Sequence, residues 1–264
     1  MAFTIPAGVL NQIPSFDGQI CLYSHSPKYA DRLLIYVNGM HTGKFTFQWQ
    51  SLKLSELAFS EVVAIYNESA SYLANGTDIP DWMGFGVDVR QCVNDYTDIL
   101  KAAIGLPMYM WLDNPATYSL YRLLATFGSY WPTQNICIVS YSQGNLITSG
   151  ALFALQQKMR PTKPIIVYAL ASPTHCWPGG VGVLCYTNPG DFVPLLSQGS
   201  SYFYDVSDHT AVMKAAGVEL GSHEFEAQAY KPKFVMDLRR GLGFTGFDLI
   251  ASCLPAEIKG ERVH

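Results

Sequence analysis

NICIVSYSQGNLITSGALFALQQKM, residues 135–159, runs an apolar β-rich stretch straight into a helical one, with only Gln143 and Gly144 as turn residues between them. At the junction, Ser140-Tyr141-Ser142-Gln143-Gly144 spaces a small residue, a nucleophile candidate and another small residue two apart, after a strand and before a helix. That is the setting of a nucleophile elbow. So tight a turn brings neighbouring backbone close on both sides, which demands small residues two positions before and after the nucleophile; Ser140 and Gly144 meet that demand. Ser142 then stands at a helix N-terminus, where backbone N–H groups and the positive end of the helix dipole face any oxyanion formed beside it. A serine at a strand end also serves as a plain helix cap. The strand, turn and helix together favour catalysis, and Ser140, inside the strand, is the weaker nucleophile.

Outward from this junction, apolar β-rich runs alternate with helical periodicities from residue 32 onward. This pattern predicts an α/β fold with a mostly parallel central sheet and helices on both faces. RLLIYVNGM (32–40), EVVAIYNES (61–69), PIIVYALASP (164–173) and GVLCYTNPG (182–190) read as further strands, with a helical stretch around 48–58. Val89, Val93, Tyr96 and Leu100 fall on one face of an amphipathic helix expected to lie on the sheet. Another helix starts at Asp113 or Asn114, either able to cap it, with Pro115 pre-set for the first turn. Residues 223–240 have helical apolar spacing through Tyr230, Phe234 and Leu238. With no repeat or linker along the 264 residues, residues 1–264 read as a single domain. The Met- and aromatic-rich segment 105–131 lies where an inserted cap or lid would cover a cleft.

A serine hydroxyl needs a base, and the base needs an orienting carboxylate, so the search moves downstream for an acid and then a histidine. Asp191 follows the strand 182–190 in Asn188-Pro189-Gly190-Asp191-Phe192-Val193-Pro194, far enough beyond Ser142 for one helix and two strands; Asp205 and Asp208 are the fallback acids. His223, in Gly221-Ser222-His223-Glu224-Phe225, precedes the last helix and is favoured as base over His209. The loop Val37-Asn38-Gly39-Met40-His41-Thr42-Gly43 supplies the second oxyanion donor: the backbone N–H of Met40, paired with that of Gln143. Gly39 allows close approach of the chain to a bound carbonyl, and Asn38 braces the loop through its side-chain amide.

On these residues the chain resembles the α/β-hydrolase superfamily, from about residue 32 to 240. Ser-Tyr-Ser-Gln-Gly is similar to the elbow of cutinase-like serine esterases, and Asp191-Phe192-Val193-Pro194 to the Asp-x-Val-Pro acid loop of class 3 and related lipases. The resemblance implies an esterase or lipase that works without a cofactor. Two departures stand out: Ser140 replaces the first elbow glycine, and the oxyanion loop reads Asn-Gly-Met-His-Thr-Gly in place of the His-Gly form of many lipases.

Composition narrows the function classes. Hydrophobic residues make up 49% and charged residues 14%, yet no run reaches the roughly 18 apolar residues of a membrane span. A net charge of −4 without a Lys/Arg stripe argues against nucleic acid as a partner. The N-terminus has no basic region and carries Pro6 and Pro14, unlike a signal peptide. The six cysteines are spread singly, which predicts free, mostly buried thiols and a cytoplasmic protein; the sequons at Asn67 and Asn75 read as chance matches. No metal-ligand motif such as His-x-x-x-His occurs. The expected partner is a small-molecule or lipid-like ester with an apolar acyl group. An acyltransferase or thioesterase would use the same triad, and a hydrolase-fold binding protein would have the scaffold without the chemistry.

Overall fold

The computed structural model describes residues 10–25, 31–68, 81–104, 112–158, 161–188, 191, 193–196, 225, 229 and 231–245. Six strands, β1 (Ile20–Tyr23), β2 (Leu33–Val37), β3 (Glu61–Ile65), β4 (Ile136–Tyr141), β5 (Ile165–Leu170) and β6 (Gly182–Tyr186), form one sheet in the order β1-β3-β2-β4-β5-β6. Every neighbouring pair is parallel except the edge pair β1–β3. Parallel neighbours need crossovers. Helix α1 (Lys44–Ala58) carries β2 to β3, α2 (Asp81–Ala103) and α3 (Pro115–Phe127) lie between β3 and β4, and α4 (Gly144–Lys158) carries β4 to β5. The last helix described is α5 (Pro232–Gly241).

The strands are apolar along their whole length because both faces of the sheet are covered. All of β2 is buried. Leu33, Ile35 and Val37 point to one face, where Leu120 and Leu124 of α3 and Ile147 and Ala151 of α4 complete the core. Leu34 and Tyr36 point to the other, against Phe47 and Leu54 of α1 and Phe234 and Leu238 of α5. There the Tyr36 ring stacks on Phe47 at 6.0 Å, and its hydroxyl donates to Gln50 Oε1 at 2.6 Å. The α/β architecture expected from the alternating pattern is therefore present, with helices on both faces.

Local signals place α3 well. Asn114 is its N-cap, accepting the Thr117 N–H at 3.0 Å, and Pro115 opens the helix. Of the segment 105–131, residues 105–111 lie outside the described residues, while α3 presents its buried side to α4 and the sheet.

Two expectations are corrected. Helix α2 does not bury the stripe Val89, Val93, Tyr96 and Leu100: Val89 is 38%, Val93 58% and Leu100 48% exposed, whereas Asp88, Asp95 and Ile99 are buried. The helix packs against α4, and its inward side meets polar loop ends. The spacing Tyr230-Phe234-Leu238 likewise crosses a break, because Lys231 is extended and Pro232 starts α5 as its N1 residue. Proline suits that position, where its missing N–H leaves no bond unmade. Cys21, Cys92, Cys137, Cys176 and Cys185 are free thiols.

From β2 the chain turns to β3 on one side, and from β4 it turns to β5 on the other. The C-terminal ends of β2 and β4 thus flank a topological switch point, where ligands bind in open α/β sheets.

Candidate active site

Ser142 sits in that crevice, between the end of β4 and the start of α4. Its φ of +51° is in the left-handed region, a strained setting for a non-glycine residue that is commonest at functional sites. The turn is locked by hydrogen bonds. The Ser142 N–H donates to Leu170 O at 3.0 Å, and Ser142 O accepts from the Asn145 N–H at 3.0 Å. Asn145 Nδ2 bridges Ser142 O and Leu170 O, both at 3.0 Å. Ser140 stays inside β4, opposite Val37 and Ala169, so the serine on the turn is Ser142.

Two glycines let the loop after β2 press against this turn. A Cβ on Gly144 would lie 2.5 Å from Val37 O, and one on Gly39 would lie 2.7 Å from Ser142 Cβ. Met40 follows Gly39 directly, which brings the loop after β2 to Ser142. Among the described residues, neither the Met40 nor the Gln143 backbone N–H has a hydrogen-bond acceptor, as an oxyanion hole requires.

Asp191 lies beyond the C-terminal end of β6 and is buried. Its N–H donates to Asn188 O at 3.1 Å, and its Oδ1 accepts the Val193 N–H at 3.0 Å. Because β4, β5 and β6 are parallel, Asp191 and Ser142 occupy the same edge of the sheet. His223, His209, Asp205 and Asp208 lie outside the described residues.

Beneath the crevice runs a buried polar chain in which sequence reasoning reached the side chain of Asn38 but, at Gln143, only the backbone N–H. Asn38 Nδ2 donates to Gly39 O at 2.9 Å and Asn67 O at 2.8 Å, and Asn38 Oδ1 accepts the Asn67 N–H at 2.8 Å. Asn67 Nδ2 donates to Gln143 Oε1 at 3.2 Å, Gln143 Nε2 donates to Asp95 Oδ2 at 2.7 Å, and Gln91 Nε2 donates to Asn67 Oδ1 at 3.3 Å. Asn67, read from sequence as a chance sequon, is a buried structural amide. Its position two residues past the end of β3 was the one available hint. On the same loop, His41 has φ +57°, and its Nε2 lies 3.4 Å from the buried Asp88 Oδ2.

Burial pushes the Asp95 carboxyl up to about 7; the Gln143 hydrogen bond opposes the rise, while the charges of Asp98 and Asp17 add to it. From about pH 4 to about pH 7 the unfolded chain has lost this proton while the folded chain keeps it. Stability from this group therefore falls as pH rises through that window. Asp95→Asn, which keeps an acceptor for Gln143, is expected to be more stable than wild type above pH 7 by a few kcal/mol at most, on the order of 1.4 kcal/mol for each pH unit of the window. The difference should vanish below pH 4. Urea unfolding at several pH values checks this; parallel stability curves would refute it.

Among the described residues, no cluster of three or more His, Cys, Asp or Glu side chains could hold a metal ion, and no helix is long and apolar enough to cross a membrane. Neither a protein-family model nor a curated protein matches this sequence.

Proposed function

We propose that this chain is a serine hydrolase of the α/β-hydrolase type that cleaves carboxylic esters of apolar acyl groups. The observation that carries the reading is the strained, hydrogen-bonded turn at Ser142, pressed against Gly39 at the switch point of the sheet. The strand order, with one antiparallel edge strand and the nucleophile between a central strand and its crossover helix, agrees with that type. Beside β6, a cavity of about 280 Å³ is bordered by Trp177, Val181, Val183 and Cys185 together with the polar Thr174 and His175. Ser172, also on its wall, is two residues past the Leu170 carbonyl that anchors Ser142.

In this mechanism His223 takes the Ser142 proton as Oγ attacks the ester carbonyl carbon. Asp191 orients the imidazole and balances its charge. The oxyanion forms between the N–H groups of Met40 and Gln143. Collapse of the tetrahedral intermediate breaks the ester C–O bond, and the alcohol leaves with the proton from His223. Water, deprotonated by His223, then attacks the acyl-Ser142 ester to release the acid and restore the serine.

The test is hydrolysis of p-nitrophenyl esters from acetate to palmitate, together with fluorophosphonate labelling, by wild type, Ser142→Ala, His223→Ala and His209→Ala. The expected result is activity and labelling in wild type and His209→Ala, with loss in the other two. Wild-type activity that survives Ser142→Ala refutes the assignment. A wild type that takes the label but cleaves none of the esters points to an acyltransferase.

A further inference from the structure

We infer that helix α2 is the brace of the oxyanion hole: Asp95 holds the elbow through a hydrogen bond from the side chain of Gln143, and Asp88 faces His41 on the loop after β2. The inference rests on the serine hydrolase reading and makes Asp88, Asp95 and Asn67 positioning residues for it.

The orientation of α2 is the first argument. Its apolar stripe of Val89, Val93 and Leu100 is left in solvent while two carboxyl groups are turned inward. Hydrophobic burial alone favours the opposite rotation, because a buried carboxyl is unfavourable unless its partners compensate. Asp88 and Asp95 stand seven residues apart, about two turns, and so share one side of the helix. Each faces one half of the candidate oxyanion hole: Asp95 Oδ2 accepts a hydrogen bond from Gln143 Nε2 at 2.7 Å, and Asp88 Oδ2 lies 3.4 Å from His41 Nε2, a contact that is an ion pair only when the imidazole is protonated.

The second argument is that the two halves are joined. Met40 lies between Gly39, whose carbonyl accepts from Asn38 Nδ2, and His41, which faces Asp88. Gln143 lies between Asp95 and Asn67, and Asn67 returns to Asn38 through two hydrogen bonds. The chain from Asp95 to Gly39 therefore spans the gap between the two amides. His41 keeps a left-handed φ, which persists in a non-glycine residue only where its surroundings enforce it. Such a link sets the separation of the two N–H groups before substrate arrives, the preorganisation on which electrostatic stabilisation depends.

Catalysis of the wild type's best p-nitrophenyl ester tests this, with thermal unfolding as the control for folding. Asp95→Ala is expected to lower kcat about 10²-fold, the effect of a misplaced reacting group, with KM little changed. Asp95→Asn, which still accepts from Gln143 Nε2, should recover most of kcat. In a Gln143→Ala background, which keeps the backbone N–H, Asp95→Ala should have no further effect because the link is already cut. Asn67→Ala and Asp88→Ala should show the same split of kcat from KM, and they carry the test should Asp95→Ala not fold. Folded variants with wild-type kcat, an Asp95→Asn as impaired as Asp95→Ala, or additive losses in the double variant overturn the brace. Ser142-dependent fluorophosphonate labelling of the wild type reports separately on the hydrolase reading; without it, both fall.

Discussion

Ser142→Ala is expected to abolish ester hydrolysis, lowering kcat by on the order of 10⁴- to 10⁶-fold, the range for losing the nucleophile of a cooperative triad. The substitution removes one oxygen from a buried side chain and leaves the β4–α4 turn its main-chain bonds to Leu170 and Asn145. Alanine and serine bear the φ of +51° about equally, so stability should change by less than about 1 kcal/mol. The variant should therefore unfold at nearly the wild-type temperature, bind no fluorophosphonate and turn over no p-nitrophenyl ester. Residual activity within tenfold of wild type would show that the bond cleavage does not pass through this residue.

Gly144→Ala is expected to give the largest loss of stability of any single-methyl change at the site. The added Cβ would lie 2.5 Å from Val37 O and 2.8 Å from Asn38 O, both backbone atoms in the middle of the sheet edge. Neither can swing aside as the tip of a side chain would. The turn must move away from the β2 exit, with an overpacking penalty of about 3 kcal/mol and a fall in melting temperature of roughly 6–12 °C for a chain of this size. Because the same shift separates Gln143 from Met40, activity should fall too. Gly182→Ala is the control, since its nearest neighbour would be an ordinary contact at 3.7 Å. Equal melting temperatures for the two variants would mean that the close approach is not rigid.

The strands around the site, the β4–α4 junction and the Asn114-Pro115 start of α3 were legible in the sequence because each is specified by residues within a few positions of one another. An apolar run, a small-residue turn and a capping amide act locally, and so the C-terminal edge of the sheet and the place of Ser142 and Asp191 along it follow from pattern alone. The inward side of α2 was not legible. Its apolar stripe had the spacing of a packing face, but the surface it meets is the polar end of β2, β3 and the elbow, which exists only once the strands are ordered β3-β2-β4. The bracing role of Asn67 was hidden for the same reason: its partners Asn38 and Gln143 stand 29 and 76 residues away. Helical periodicity identifies an element and its apolar side. Which side is buried depends on what lies opposite, and here the tertiary structure set two carboxyl groups and an amide chain against the turn that carries Ser142.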